Sequence, residues 1–530
     1  MDIVTAAEMR EMDALTITEF GLPGRVLMEN AGRGAVRVML ERFPHITTGR
    51  VGVMAGRGNN GGDGFVIARY LSQKGIRVTV FLLARREDLR GDAAANLPLL
   101  DPLCVPVVEV PDEAAFTQQL IRLRHQDIWV DAILGTGLQS EVRAFYKMVI
   151  NIINETGKPV FAVDIPSGLG SDTGRPCGAS IQATVTTSFA FPKIGHILHP
   201  GADYTGHLEI IDIGIPHHIV ARVGPRHHLL TPEKIAALLP RRKTDAHKGA
   251  TGHLLVIAGS SGKTGAAVLT ATAALRAGAG LVTLGIATGL DPLISPRILE
   301  VMTCLLPETH SGILGESAKE AIRHELTGKK CLAIGPGLGT LPVTRALIQG
   351  LVPDVTVPMV VDADGLNCLA EVPQLFLKAK APIVITPHPG EMARLAGMSV
   401  PEVQADRIGC ARNFATRFGT HVVLKGAATV IALPDGEVFI NPTGNAGMAS
   451  GGMGDVLTGI IAGLISQGLS PASAALAGTY LHGAAADHLA KTKGPFGFLA
   501  GEVMAGIPGE IGKITVRGPL NSQISPLTSP

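Results

Sequence analysis

Short apolar runs alternate with helical stretches along most of the chain. Residues 50–55 (RVGVMA) and 76–84 (IRVTVFLLA) are too short and too uniformly apolar for helices, while FVIARYLSQKG between them has helical spacing. Together they predict a strand, helix, strand unit. Runs at 128–134 (IWVDAIL), 159–165 (PVFAVDI) and near 183–191 extend the series. Strands apolar on both faces are buried on both faces, so the first half reads as a doubly wound, mostly parallel sheet. The second half repeats the pattern. LLVIAG leads to the helical AAVLTATAALRAG, and further strands are expected in 331–339, 359–370, 382–395 and 421–444, the last carrying Lys425 and followed by a hairpin.

Between residues 215 and 240 the periodicity fades into PHHIVARVGPRHHLLTPEK, so a domain boundary is expected there. The organisation that follows is a domain over 1–218, a linker over 219–230, a second domain over 231–513 and a flexible tail over 514–530, where Pro and Ser replace apolar spacing. The first sixteen residues carry charges every few positions and predict a helix, not a secretory leader. No charged residue occurs from Val456 to Ala486, but Gln467, Ser470, Pro471 and Ser473 interrupt the stretch. Two buried helices joined by a turn explain it better than a membrane span.

The polar and glycine-rich segments fall where the predicted strands end, which is where such sheets bind ligands. GRGNNGGDG (56–64) contains G-x-G-x-x-G, yet the second strand ends in Ala84-Arg85-Arg86 where a ribose-binding acid is expected in a dinucleotide fold. The segment also suits a loop offering amides to a polyphosphate or an ion, or a plain surface turn. DAILGTGL and DIPSGL place Asp131 and Asp164 at strand ends, where either can simply cap the next helix. Oxygens of Asn60, Asp131 and Ser167 suit a hard cation, and Asp164 suits an acid or base.

In the second half, NPTGNAGMASGGMGDVLTG (441–459) runs glycines into an acid and then an apolar helix. Glycines let main-chain N–H groups crowd an anion, and the helix start adds unpaired donors. Asp455 at the mouth of such a cradle is placed to take a proton from a hydroxyl attacking a phosphoryl group; the plainer reading is a capping Asp after a glycine turn. Gly259 to Thr264 imitates a P-loop, but the required first glycine is Ile257, so a Walker site is rejected. His388 beside Glu391 has the spacing of a structural histidine in a loop. Lys425, followed by Gly426, Ala427, Ala428 and Thr429, suits a nucleotide's phosphates or adenosine, or a solvated strand edge.

Composition narrows the classes. Lys and Arg number 46 against 45 acids, a net charge of +1, and aromatics make up 4%. Neither the charge footprint nor the stacking platforms of a nucleic-acid binder are present. Cysteines 104, 177, 304, 331, 368 and 410 form no C-x-x-C, which argues against zinc and a disulfide framework and for a reducing cytoplasm. Histidines 217, 218, 227 and 228 lack supporting acids or thiols and are expected on a solvated linker.

NNGGDG, VDAILGTGL, AVDIPSGLGSDTG and FPKIGH with HPGADYTGHLEIIDIGIP resemble, over residues 5–215, the epimerase domain of NAD(P)H-hydrate repair proteins. The resemblance implies a Rossmann-like domain that interconverts the R and S forms of NADHX and NADPHX, the cofactors with water added across the nicotinamide ring. By that resemblance Asn59, Asn60, Gly61, Gly62 and Asp63, then Gly135, Thr136, Gly137, Leu138, Gln139, Ser140 and Glu141, with Tyr146, hold the hydrate. Asn60, Asp131 and Ser167 bind K+, and Asp164 contacts the ring as acid or base. QSEVRAFYKMVIN (139–151) matches the family less closely.

GPGLG, DADGLN, TPHPGE, VLKG and the 441–459 segment resemble, over about 230–510, the ADP-dependent NAD(P)H-hydrate dehydratase, a ribokinase-like α/β/α sandwich. That resemblance implies ADP phosphorylating the hydroxyl of the S hydrate, with phosphate then lost and AMP left. Asp455 becomes the base, Gly452 to Gly454 cradle the phosphoryl group, and Mg2+ offsets its charge. Ala266, Gly337 and His388 contact the hydrate; Lys425, Gly426, Ala427, Ala428, Thr429, Gly454 and Asp455 serve the nucleotide end. Lys263 stands where the family often has an aromatic residue. The expected protein is a cytoplasmic homo-oligomer without nucleic-acid or membrane partners. The competing reading is a ribokinase-like vitamin or sugar kinase with a non-catalytic nucleotide-binding N-terminal module.

Overall fold

The computed structural model describes residues 1–138, 140–240, 242, 244–245, 247–249 and 251–516. The chain divides into two compact units, one of Asp2–His227 and one of Met1 with the residues from His228 onward.

Seven parallel strands form the sheet of the first unit, in the order Val107–Glu109, Arg77–Leu82, Arg50–Ala55, Ile128–Ala132, Val160–Val163, Val185–Phe189, His207–Ile211. The central strands are buried at nearly every position, as uninterrupted Val, Ile and Ala runs require in a sheet covered on both faces. Chain order reverses between Arg50–Ala55 and Ile128–Ala132, so the crevice at their carboxyl ends is the switch point that collects ligands. The segments 56–64 and 131–138 both emerge there. The N-terminal helix Ala6–Thr18 is fixed by a capping box: Thr5 Oγ1 accepts from the Glu8 N–H and Glu8 Oε2 accepts from the Thr5 N–H.

The Asn-Asn-Gly-Gly-Asp-Gly stretch is no loop but the opening turns of the helix Asn59–Gln73. Glycine makes this possible, since a Cβ on Gly61 would sit 1.9 Å from the Gly56 carbonyl oxygen. The helix start is thereby pulled tight against the strand end.

In the second unit a parallel sheet runs His421–Leu424, Ile383–Ile385, Met359–Val361, Cys331–Ile334, His253–Ile257, Leu281–Ala287, Met302–Leu306. Val430–Ala432 and Val438–Ile440 extend it as an antiparallel meander, the expected hairpin. Lys425 lies one residue past its strand instead of within it. The uncharged stretch after Asp455 forms two helices, Met453–Ser466 and Pro471–Lys493, broken over the Gln-Gly-Leu-Ser turn 467–470. Among the described residues no helix is long and apolar enough to cross a membrane.

The region expected to be an aperiodic linker instead forms the helix His217–Val223 and the strand His227–Leu229. His227 is buried, and His228 is no solvated side chain: its Nε2 lies 2.7 Å from Glu437 and its ring 4.8 Å from that of Phe439. A histidine ring presents an apolar body as well as polar nitrogens, so composition could not reveal which way these rings pack. At the other end, the helix Ala500–Val516 carries order past the expected start of the tail, and 517–530 lie outside the described residues.

Candidate active sites

In the first unit a cavity of about 930 Å³ opens at the switch point. Of the residues predicted to hold the hydrate, Asn59, Asn60, Asp63, Gly135, Thr136, Gly137, Leu138, Ser140, Glu141, Tyr146 and Asp164 line it. Gly61 and Gly62 lie buried in the helix start, and Gln139 lies outside the described residues.

Asp164 follows its strand with φ of +65°, a left-handed backbone that a side chain other than glycine adopts at a cost. The turn aims its carboxylate at Lys193, whose Nζ donates to Asp164 Oδ1 at 2.5 Å, to Ser188 Oγ at 3.0 Å and to the Phe189 carbonyl at 3.2 Å. Lys193 is fully buried, so its charge is held by these three acceptors alone among the described partners. Its own N–H donates to His196 Nδ1 at 3.0 Å. Burial first, then the Lys193 charge, lowers the His196 pKa to about 3 and keeps that ring neutral.

Beneath the cavity Asp131, Ser167 and Asn60 converge. Ser167 donates to Asp131 through Oγ at 2.5 Å and through its N–H at 2.7 Å. Asn60 Nδ2 donates to the Leu134 carbonyl at 3.0 Å, whereas Asn60 Oδ1 is buried and accepts no hydrogen bond. Burial pushes the Asp131 carboxyl up to about 6 against the pull of the Ser167 hydrogen bonds. A buried amide oxygen without a donor, beside a carboxylate, a hydroxyl and a carbonyl, is an all-oxygen set suited to a hard cation.

The second site is assembled from strand ends. Asp362 follows Met359–Val361 and is 1% exposed. Lys425 Nζ donates to its Oδ1 at 2.7 Å, and Thr458 Oγ1 to its Oδ2 at 2.8 Å. Thr458 sits three residues after Asp455 on the helix Met453–Ser466, so it ties the face carrying Asp455 to the sheet. Gly452, the N-cap, takes φ of +89°, and a Cβ on Gly454 would lie 3.2 Å from Lys425 Nζ. The cradle and the lysine therefore meet. The Asp455 carboxyl is raised to about 6, by burial first and then by Asp362, with Lys425 opposing. A base with that pKa is ionised at neutral pH yet still basic.

Glu391 packs behind Lys425 at 3.9 Å. Burial alone would lower the Lys425 pKa, but Asp362 and Glu391 outweigh it and hold it above the ordinary value. His388 caps the helix Pro389–Ala396, its Nδ1 accepting from the Gly390 N–H at 3.0 Å while Glu391 accepts from the His388 N–H. Desolvation, then Lys425, lowers the His388 pKa, leaving a neutral ring at the site edge. Ala266 and Gly337 adjoin: a Cβ on Gly337, where φ is +66°, would lie 3.0 Å from Ala266 Cβ. Lys263 does not serve as a P-loop lysine, because its Nζ donates to Asp364 at 2.8 Å.

Several residues of these sites carried no assignment in the sequence. Lys193 lies inside a quoted motif, FPKIGH, and Asp362 and Asp364 inside DADGLN, but nothing marked which member reaches the site. Arg407 had no signal at all; it donates to the carbonyls of Ala427 and Leu424 and braces the 425–429 turn. Because Asp362 raises the pKa of Asp455, Asp362→Asn is expected to lower the pH at which the Asp455 carboxyl ionises. A carboxyl titration followed by NMR between pH 4 and 8 that keeps its midpoint near 6 would contradict the coupling.

These two sites, each at the carboxyl end of a parallel sheet, define an α/β protein with a cavity of about 930 Å³ in one unit and, in the other, an acid at a glycine-rich helix start beside the Asp362–Lys425 ion pair. A family model described as the YjeF-related protein N-terminus matches residues 24–195, and one described as NAD(P)H-hydrate dehydratase matches residues 254–508. The bifunctional NAD(P)H-hydrate repair enzyme Nnr of Moorella thermoacetica is 47% identical over 509 residues, 96% of each chain. That of Escherichia coli is 38% identical over 518 residues, 95% of this chain and 92% of its own. A solved ADP/ATP-dependent NAD(P)H-hydrate dehydratase from Bacillus subtilis is 33% identical, covers 54% of this chain and 98% of its own, and has a TM-score of 0.48. The chain belongs to the family of bifunctional NAD(P)H-hydrate repair enzymes.

Proposed function

We propose that the first unit equilibrates the R and S hydrates of NADH and NADPH, and that the second returns the S hydrate to the reduced cofactor at the expense of ADP. The observation that carries the reading is Asp455, held half-buried at a glycine-rich helix start with its pKa near neutrality and Lys425 alongside. Hydroxide is a poor leaving group and phosphate a good one. Asp455 takes the proton of the hydrate's hydroxyl as that oxygen attacks the β-phosphoryl of ADP and AMP leaves; phosphate then departs with its bonding pair, the neighbouring ring carbon gives up a proton, and that C–H pair forms the restored double bond.

Lys425 neutralises phosphate charge, and main-chain donors of Gly452, Met453 and Gly454 face the transferred group. Gly426, Ala427, Ala428 and Thr429 carry the nucleoside end, while Ala266, Gly337 and His388 flank the hydrate. Asp362, the buried carboxylate at this site, would hold the Mg2+ that accompanies the nucleotide, and the ion would supply charge neutralisation. In the first unit Asn60, Asp131 and Ser167 hold K+, for which the unpaired Asn60 Oδ1 is the fitting ligand. Asp164 acts on the ring. The six free cysteines fit a cytoplasmic setting, and a homo-oligomer is the proposed assembly.

An absorbance assay with pure epimers tests the whole scheme. S hydrate with ADP is expected to regain the near-UV band of reduced nicotinamide with AMP and phosphate released, and R hydrate to follow through the S form. An accumulating phosphoester without that band favours the sugar or vitamin kinase. Replacing K+ by a large organic cation is expected to slow R to S equilibration severalfold and leave dehydration of the S form unchanged. Equal rates in both salts would remove the ion from Asn60, Asp131 and Ser167.

A further inference from the structure

Asp13 lines the cavity of the first unit and no role has been given to it. It comes from the helix Ala6–Thr18, far in sequence from every glycine-rich motif. Its Oδ1 is buried and accepts no hydrogen bond. Its carboxyl is pushed up to about 6 by burial, with Asp164 adding to the rise and Lys193 opposing it. Asp63, on the same cavity, is pushed well up by burial and then by Asp164 and Asp13. Three carboxyl groups thus line one cavity with Lys193, whose ammonium is committed to Asp164 at 2.5 Å. Crowding three carboxyl groups around one ammonium opposes ionising all three at once. Asp13, raised to about 6, keeps its proton in about a tenth of molecules at pH 7 and gives it up readily.

We propose that Asp13 is a catalytic residue of the first unit, the proton donor that works with Asp164 as acceptor in inverting the hydroxyl-bearing carbon of the hydrate. This rests on the epimerase reading above. In a dihydronicotinamide hydrated next to the ring nitrogen, the inverting carbon bears both a hydroxyl and that nitrogen. Asp13 gives its proton to the hydroxyl, and the carbon–oxygen bond breaks with its electron pair leaving on water. The nitrogen lone pair closes a carbon–nitrogen double bond, giving an iminium cation. A second water adds to the other face, the double-bond pair returns to nitrogen, and Asp164 takes the surplus proton. One water leaves and one enters. Asp13 ends ionised and Asp164 protonated, the arrangement that drives the reverse inversion, and exchange with solvent resets the pair.

The test uses the full chain without ADP, so that the second unit is silent, with pure R hydrate in 18O-labelled water. Wild type is expected to place one solvent oxygen in the hydrate with each inversion, read by mass spectrometry against the R to S ratio. Asp13→Asn is expected to slow equilibration by about 100-fold or more while hydrate affinity and the ADP-dependent dehydration of pure S hydrate stay at wild-type values. A variant that equilibrates at the wild-type rate overturns the role of Asp13, as does a rate loss matched by an equal loss of affinity. If Asp13→Asn does not fold, the wild-type isotope result decides: solvent oxygen entering at every inversion supports the route, and inversion with the original oxygen retained overturns it. A wild-type chain that leaves R hydrate drifting at the buffer rate overturns the epimerase reading itself, a different failure from that of Asp13.

Discussion

Asp455→Asn is expected to remove ADP-dependent dehydration of the S hydrate, by about 10²–10⁴-fold or more, and to leave R to S equilibration untouched. The amide is the same size as the carboxylate, so the cradle keeps its shape, but it cannot accept the hydroxyl proton. A stability measurement distinguishes this from unfolding. Asp455 titrates near 6 in the fold against an ordinary value of 3.8, so the folded state binds its proton more tightly than the unfolded chain does. The stabilisation that follows is complete below pH 3.8 and is lost as pH rises through about 6. At pH 7 the wild type carries the repulsion between Asp455 and Asp362, and the asparagine variant does not. The variant should therefore melt no lower than wild type at pH 7. A variant that dehydrates the S hydrate at an undiminished rate would refute the assigned base.

The opposite balance is expected for Lys193→Met, where activity and stability should fall together. The ammonium is fully buried and satisfied by Asp164, Ser188 and Phe189, and removing it leaves a carboxylate with no cation in the same space as Asp13 and Asp63. Breaking a buried pair from one side costs about 3–5 kcal/mol. Asp13 and Asp63 each have their pKa lowered by Lys193, so both rise further when it is lost. With the cation gone, Asp164 loses the hydrogen-bond partner that aims its carboxyl group, and R to S equilibration should drop by about 100-fold or more. Dehydration of pure S hydrate should survive wherever the second unit stays folded. Calorimetry of the full chain, with the two activities measured on the same sample, checks all three statements. Full epimerase activity in Lys193→Met would mean that the ion pair only holds the turn.

The parallel sheets were legible because strands buried on both faces leave an uninterrupted apolar run, and the glycine-rich turns because few residues other than glycine tolerate such backbone crowding. Asp455 was legible for a related reason: an acid following glycines at the head of an apolar helix has few arrangements open to it. Residues whose role depends on partners distant in the chain were not. Lys193 meets Asp164 across 29 residues, Lys425 meets Asp362 across 63, and Thr458 meets Asp362 across 96. The helical start at Asn59 was missed because two asparagines and three glycines have poor helix propensity, which packing against Gly56 overrides. His228 was misjudged because composition cannot tell a solvated imidazole from one paired with Glu437.

By itself, then, the amino-acid order determined two α/β sheets, the turns at their carboxyl ends and the family, all of which follow from local periodicity and from contiguous motifs. Tertiary structure alone decided which charges face one another. Asp13, Asp63, Asp164 and Lys193 become one electrostatic group, and Asp362, Lys425 and Asp455 another, only when strand order brings them to the same crevice. Charge interaction falls with distance through space, not along the chain, so the protonation states on which the proposed chemistry runs are a property of the fold.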